Sequence, residues 1–193
     1  IKEAWFNSKF ARTRGQGMSY GGYEKNRLYL NLGGQGFLEA GWLLGVAVEE
    51  DSRNVVAADL DGDGRQDLIV TTFEAWPETR QTIRIFRNET PATGHWLAVD
   101  LHPAGSGESP VGAVVTLARP NGLDRRWIVT GDSHRSQHPP VAHFGLGGET
   151  NVVSVEVRFT SGRTVRIDRP AVDRVHRVAI SAGSGAGAGA GGG

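Results

Sequence analysis

Apolar residues in this chain recur at every second position more often than at helical spacing. The alternation is clearest over residues 152–159, VVSVEVRF, whose apolar positions are Val153, Val155, Val157 and Phe159. Successive side chains of a strand point to opposite faces of a sheet, so these residues are predicted to share one face. The Ser161-Gly162 turn and the stretch TVRI that follow predict the second strand of a hairpin.

Similar short stretches continue the pattern through the second half of the chain. They are HWLAVDL (95–101), VGAVVTLA (111–118), RRWIVTG (125–131) and RVHRVAI (174–180). Leu97, Val99 and Leu101 should share one face, and RPNGLD (119–124) supplies the turn between two of the strands. About six strands joined by short turns predict a small antiparallel β-sandwich or barrel.

The first half is organised around a repeated stretch. RLYLN (27–31) reappears in altered form as RIFRN (84–88), and each copy ends in Asn. Between the copies, NVVAADL (54–60) and DLIVTT (67–72) read as two strands joined by an acidic loop. The spacing of the copies is about one propeller-blade length, which predicts one complete blade and part of a second.

We therefore predict an all-β protein in three segments. Residues 1–92 form the propeller-type blade region, 93–180 form the sandwich, and 181–193 form a Gly/Ala-rich flexible tail.

Composition narrows the possible functions. Lys and Arg together number 21, as do Asp and Glu, so no basic field favours nucleic acid. The chain has no cysteine, which excludes disulfides and thiolate ligands. No apolar stretch approaches the ~20 residues of a membrane-spanning helix. Any electrostatic specialisation must therefore be local.

Such a specialisation stands at DLDGDGRQD (59–67). Its aspartates are Asp59, Asp61, Asp63 and Asp67. Gly62 and Gly64 allow the backbone to bend, so that these side chains converge. Carboxylates confined this closely repel one another unless a cation lies between them.

The loop predicts a structural calcium site. All-oxygen, crowded coordination suits Ca²⁺ better than Mg²⁺, which requires stricter octahedral geometry. The predicted ligands are the carboxylates of Asp59, Asp61, Asp63 and Asp67 and the carbonyl of Arg65. The loop is not an EF-hand, because its twelfth position is Val70 and strands flank it. The alternative is a solvated Asp-Gly turn without a metal.

Two families resemble this sequence in succession. NRLYLNLGGQGFLEA, VVAADLDGDGRQDLIVTT and IRIFRNE are similar to FG-GAP/VCBS repeats, the blades of integrin-like β-propellers. HWLAVDL, VGAVVTL, GDSHRSQ, HFGLG and VVSVEVRFTSGRTVRI resemble, in that order, the ASPIC/UnbV domain. This domain often follows such repeats in bacterial secreted proteins and in the cartilage acidic protein family.

The resemblance implies a noncatalytic, calcium-binding module, extracellular or periplasmic, for adhesion or interaction. A propeller closes its ring with several blades, so a single blade leaves apolar faces and strand edges without a neighbour. We therefore expect the chain to act within a larger protein or assembly, with a protein partner or other subunits.

Two alternatives remain open at this stage. His134, His138 and His143 lie close together in sequence near Asp132, so they could form the metal site of an enzyme. The tryptophans at positions 5, 42, 76, 96 and 127 could stack on sugar rings in a carbohydrate-binding module. Trp96 is the leading candidate for that role, because it lies opposite the apolar set of its strand.

Overall fold

The computed structural model describes residues 24–74, 80–91, 94–103 and 108–180. Every regular element in these ranges is a β-strand, which confirms the predicted all-β class. The strands are β1 (Tyr29–Asn31), β2 (Phe37–Glu39), β3 (Ser52–Ala58), β4 (Asp67–Glu74), β5 (Arg80–Phe86), β6 (His95–Pro103), β7 (Val114–Arg119), β8 (Gly122–Trp127), β9 (Val141–Gly147), β10 (Ser154–Arg158), β11 (Thr164–Asp168) and β12 (Arg174–Ile180). The predicted tail, 181–193, lies outside the described residues. Within these ranges, no helix is long and apolar enough to cross a membrane.

The chain divides into two compact units. Of the described residues, the first unit comprises 24–58, 66–74, 80–88 and 133–136, and the second comprises 59–65, 89–91, 94–103, 108–132 and 137–180. The tip of the acidic loop therefore groups with the second unit. The domain boundaries after residues 92 and 180 remain predictions.

The second unit is a sandwich of two sheets. One sheet has the strand order β11-β10-β7-β8 and the other β12-β6-β9. Both contribute to one apolar core, whose largest fully buried side chains are Phe144, Leu97, Leu101, Leu117, Val99, Val115, Val155 and Val157. The predicted common face of Leu97, Val99 and Leu101 is confirmed, since all three are completely buried. Burial of apolar area at about 25 cal/mol per Å² makes this core the main stabilising feature of the unit.

The alternation predicted for 152–159 fails at one position. Val155, Val157 and Phe159 are buried, but Val153 is 43% exposed and Val152 is buried instead. The reason is that β10 begins only at Ser154, so Val153 lies before the regular ladder with β7 and β11. The predicted hairpin of β10 and β11 is confirmed.

Two connections differ in detail from the sequence prediction. β8 begins at Gly122 and pairs with Arg119 of β7, so the hairpin turn is tighter than the stretch RPNGLD indicated. β12 pairs with β6 in parallel, from Arg174 opposite Leu97 to Ile180 opposite Pro103, within a sandwich expected to be antiparallel. The parallel pairing arises because β12 returns to β6 after the chain has traversed the other sheet.

Asp173 fixes the start of β12. Its φ is +58°, a left-handed conformation that Asp and Asn tolerate better than most residues. Its N–H donates to the carbonyl of Trp96 (2.7 Å), and its carboxylate accepts the Trp96 N–H (3.2 Å). The other carboxylate oxygen lies 2.7 Å from Nδ1 of His95. The hydrogen bond with His95 holds the pKa of Asp173 below its ordinary value.

The first unit contains a two-stranded sheet, β1-β2, and a three-stranded antiparallel sheet, β3-β4-β5. Residues directly opposite in an antiparallel pair share a face, and the register places Val56, Ile69 and Ile85 in one such row. Ile83 lies on the same face of β5. Ile83 and Ile85 are 68% and 63% exposed, while Val56 and Ile69 are half-buried, so the exposed part of this face lies on β5.

Because Val155 is buried and Val153 is exposed, the same Val→Ala substitution should lower stability by different amounts at the two positions. Val155→Ala removes buried methyl groups and should lower the free energy of unfolding by about 2 kcal/mol. Thermal denaturation should show a fall in melting temperature of about 10 °C. Val153→Ala is the matched control and should change the melting temperature by less than about 3 °C. Equal losses for the two variants would contradict the burial described here.

The His95 contact with Asp173 predicts a pH-dependent contribution to stability. Because the folded pKa of Asp173 is lowered, the contribution is present above the unfolded pKa of about 4 and is lost as pH falls through the folded pKa. Asp173→Asn removes the charge while keeping an acceptor and a tolerated left-handed residue. Melting curves at pH 3 to 7 should show the wild type above the variant at pH 6, with the gap closing in acid. A gap independent of pH would refute this origin.

Candidate metal centre

The acidic loop is the connection between β3 and β4, whose ladder ends with Ala58 opposite Asp67. The backbone bends at Gly62 and Gly64, where φ is +79° and +86°. Most residues with a side chain avoid this conformation, so glycine is required for the turn in its present form. The predicted function of the two glycines as bending points is consistent with these angles.

Asp59 organises the loop through its backbone. Its Oδ1 accepts the N–H groups of Gly62 (2.8 Å) and Asp63 (3.1 Å), and its Oδ2 accepts that of Gly64 (2.9 Å). These three donors lie along the tip of the loop and offset part of the cost of a half-buried carboxylate. The side chain of Asp59 is therefore held in one orientation.

Asp67 anchors the other end of the loop at the first position of β4. It is only 2% exposed, and its Oδ1 accepts the N–H of Asn88 (2.7 Å). The side chain of Asn88 donates in turn to the carbonyl of Gln66 (3.2 Å). The sequence analysis did not assign Asn88 to the site, although its recurrence at the end of RIFRN was a signal that could have identified it.

Three of the predicted ligands converge. Asp59, Asp61 and Asp67 each offer a carboxylate oxygen, and these oxygens lie within 4.8 Å of one another. Asp59 is half-buried, Asp61 is exposed and Asp67 is buried. The donor set is all oxygen and carries up to three negative charges, which fits a hard divalent cation such as Ca²⁺. Of the described residues, no other group of three or more His, Asp or Glu side chains converges in this way.

Asp63 lies outside this group. Its Oδ1 accepts the N–H of Arg65 (2.9 Å), and its Oδ2 forms an ion pair with the guanidinium of Arg65. The side chain of Asp63 therefore contacts Arg65, two residues further along the loop. Ligation by Asp63 and by the Arg65 carbonyl remains a prediction.

The histidines of the alternative metal site have separate contacts. Nδ1 of His138 lies 2.8 Å from a carboxylate oxygen of Asp132, while Nε2 of His143 lies 2.9 Å from the carbonyl oxygen of Gly64. His134 is exposed. His138 and His143 are therefore oriented by different partners, and the histidine-based enzyme gains no support from this arrangement.

The tryptophans also have different surroundings. Trp96 is half-buried and stacks on His143, with ring centroids 5.8 Å apart and planes inclined by 10°. Trp42 and Trp127 are 76% and 60% exposed, and Trp127 borders a shallow groove of about 220 Å³ next to Asp132 and His138. Trp5 and Trp76 lie outside the described residues. Sugar binding by an exposed tryptophan stays a prediction, with Trp96 no longer its natural candidate.

Comparison with known proteins adds an independent line of information. Residues 18–70 match the FG-GAP-like repeat, and residues 104–185 match the family described as ASPIC and UnbV. The chain is 32% identical over 123 residues to "Cartilage acidic protein 1" of Mus musculus and, over the same length, to that of Homo sapiens. It is 31% identical over 121 residues to the Xenopus tropicalis protein.

These alignments cover 62–63% of this chain but only 18% of each relative, so the chain spans a small part of their length. The two family matches follow one another in the order predicted from the quoted motifs, and the acidic loop lies inside the first match. Two successive segments of this chain therefore match an FG-GAP-like repeat and then an ASPIC and UnbV domain.

Proposed function

We propose that this chain is a noncatalytic, calcium-stabilised interaction or adhesion module that acts outside the cytoplasm as part of a larger protein or assembly. The observation that carries the proposal is the convergence of the Asp59, Asp61 and Asp67 carboxylates inside an FG-GAP-like repeat. Calcium is the proposed ion. The extracellular or periplasmic location rests on the similarity to proteins named cartilage acidic protein 1.

Electrostatics supports a bound cation. Three carboxylate oxygens within 4.8 Å of one another repel, and the burial of Asp67 weakens the screening of its charge by water. The N–H groups that donate to Asp59 and Asp67 offset only part of this repulsion. A divalent ion would neutralise the remainder and join the two ends of the loop through residues of this chain.

The uncovered apolar residues of the first unit support an interaction role. On the β3-β4-β5 sheet, Ile83 and Ile85 are mostly exposed, and Phe37 and Leu38 of β2 are 69% and 49% exposed. Exposed apolar residues of this size are typical of a surface that contacts another protein. In a propeller, that contact would be an adjoining repeat, supplied by the same polypeptide or by another subunit.

The noncatalytic part of the proposal is supported by the side chains that could have carried chemistry. His138 is oriented toward Asp132, and His143 toward a backbone carbonyl. Neither imidazole is among the converging ligand groups, which are the carboxylates of Asp59, Asp61 and Asp67.

Calcium should stabilise the wild-type chain. Titration with CaCl₂ to 100 times the dissociation constant should add about 2.7 kcal/mol to the free energy of unfolding and raise the melting temperature by about 10 °C. EGTA should reverse the increase. Asp61→Asn removes one exposed carboxylate of the group, and should weaken calcium binding measured by calorimetry at least tenfold.

Asp168→Asn is the matched control, because it removes an exposed carboxylate on β11 that pairs with Arg166. It should bind calcium with wild-type affinity. If millimolar calcium leaves the melting temperature of the wild type unchanged and no heat of binding appears, the calcium part of the proposal is wrong.

The apolar face predicts binding of hydrophobic probes and self-association at high concentration. The double variant Ile83→Thr/Ile85→Thr keeps β-branched residues in β5 and removes apolar surface, so dye fluorescence and the association constant from sedimentation should both fall several-fold. Leu123→Thr, at a 60% exposed position of β8, is the control and should change both much less. Wild-type protein that neither binds the dye nor associates would contradict an interaction role for this face.

A further inference from the structure

Gly64, at the tip of the acidic loop, is in direct contact with the indole of Trp96. A Cβ placed on Gly64 would lie 2.0 Å from Nε1 and 2.2 Å from Cε2 of Trp96, so only glycine fits there without displacing the ring. Gly64 is buried and has a φ of +86°. The conformation and the contact therefore both require glycine at this position.

The carbonyl of the same residue is held by His143. Nε2 of His143 lies 2.9 Å from the Gly64 oxygen, and because a carbonyl only accepts, this nitrogen must carry the hydrogen. The imidazole stacks on the Trp96 ring with nearly parallel planes. The indole thus fixes the plane in which His143 donates.

The two side chains are positioned by rigid strands. Trp96 lies on β6 opposite Gly145 of β9, and His143 lies opposite Ala98, so the two rings are diagonal neighbours on one face of the sheet. That sheet belongs to the sandwich, and residues 59–65 group with it in the second compact unit. The two side chains that contact Gly64 therefore project from strands whose opposite face packs in the apolar core.

The contacts of Gly64 lead back to the carboxylate group. Its N–H donates to Oδ2 of Asp59 at 2.9 Å, while its carbonyl accepts from His143. A shift of Gly64 would change the orientation of the Asp59 carboxylate, whose two oxygens are held by the loop backbone. Asp59 is one of the three residues that converge.

We propose that Trp96 and His143 are positioning residues that hold the acidic loop in its ion-binding geometry before the ion arrives. This inference rests on the proposed calcium function. A loop that is ordered in advance loses less conformational freedom on binding, so its affinity for the ion is higher than that of the same ligands on an unsupported loop. His143 belongs to the segment that matches the ASPIC and UnbV family, which gives that domain a role in cation binding.

Calorimetric titration of the whole chain with CaCl₂ tests the proposal. His143→Leu removes the donor to Gly64 and should weaken calcium binding about tenfold. His143→Gln restores an N–H donor and should recover most of the loss, while Trp96→Phe keeps an aromatic face and should weaken binding less than Trp96→Ala. His138→Leu, which removes the histidine paired with Asp132, is the matched control and should bind calcium as the wild type does.

A second measurement separates positioning from general stability. Hydrogen exchange of the Gly64 amide, followed by NMR in EGTA, should accelerate in His143→Leu while amides of the core strands β6 and β10 keep their wild-type rates. Calcium affinity in His143→Leu and Trp96→Ala equal to that of a calcium-binding wild type would overturn this inference and leave the proposed function intact. Absence of calcium binding by the wild type would overturn both.

Discussion

The repulsion between carboxylates in a short loop is the constraint on which the rest of this structure depends. Asp59 and Asp61 leave the end of β3 and Asp67 begins β4, so the ladder between these strands brings like charges together. Backbone hydrogen bonds offset part of this repulsion. The loop turns at Gly62 and Gly64, which both adopt a left-handed conformation, and the N–H groups of these two residues donate to the Asp59 carboxylate. The orientation of the Asp59 carboxylate is therefore set by the loop backbone.

The loop also illustrates which parts of a site a sequence can predict. The spacing of the aspartates and glycines predicts convergence, because alternate side chains of a turning backbone must approach one another. It could not predict that Asp63 pairs with Arg65, since that choice depends on the side-chain rotamers of an ordered loop. Nor could it assign Trp96 and His143 to the loop, because those contacts join segments that are distant in sequence.

The same distinction applies to the fold. Period-two alternation predicted the buried faces of β6 and β10, where regular ladders leave each side chain only one direction to point. It failed at Val153, which precedes the first ladder residue of β10, and it gave no sign of the three-residue strand β2. The alternation also did not predict that β12 pairs with β6 in parallel, because strand order depends on tertiary packing and not on local pattern.

The two units differ in how completely their apolar side chains are buried. In the second, two sheets enclose a core in which the largest side chains are completely buried. In the first, a three-stranded sheet leaves Ile83 and Ile85 facing outward. A sheet of this size gains much of its stability from a covering layer, and the exposure of Ile83 and Ile85 is the observation behind the proposed contact of this face with other polypeptide.

The parallel pairing of β12 with β6 has a consequence for biosynthesis. The β12-β6-β9 sheet of the sandwich acquires its third strand only when the last described strand returns to the first strand of that unit. A ribosome must therefore release nearly the whole segment before the sheet can close, and until then one edge of β6 presents unpaired backbone groups to the cell. Closure of this sheet is therefore a late event in folding, because it requires a contact between the first and last strands of the unit.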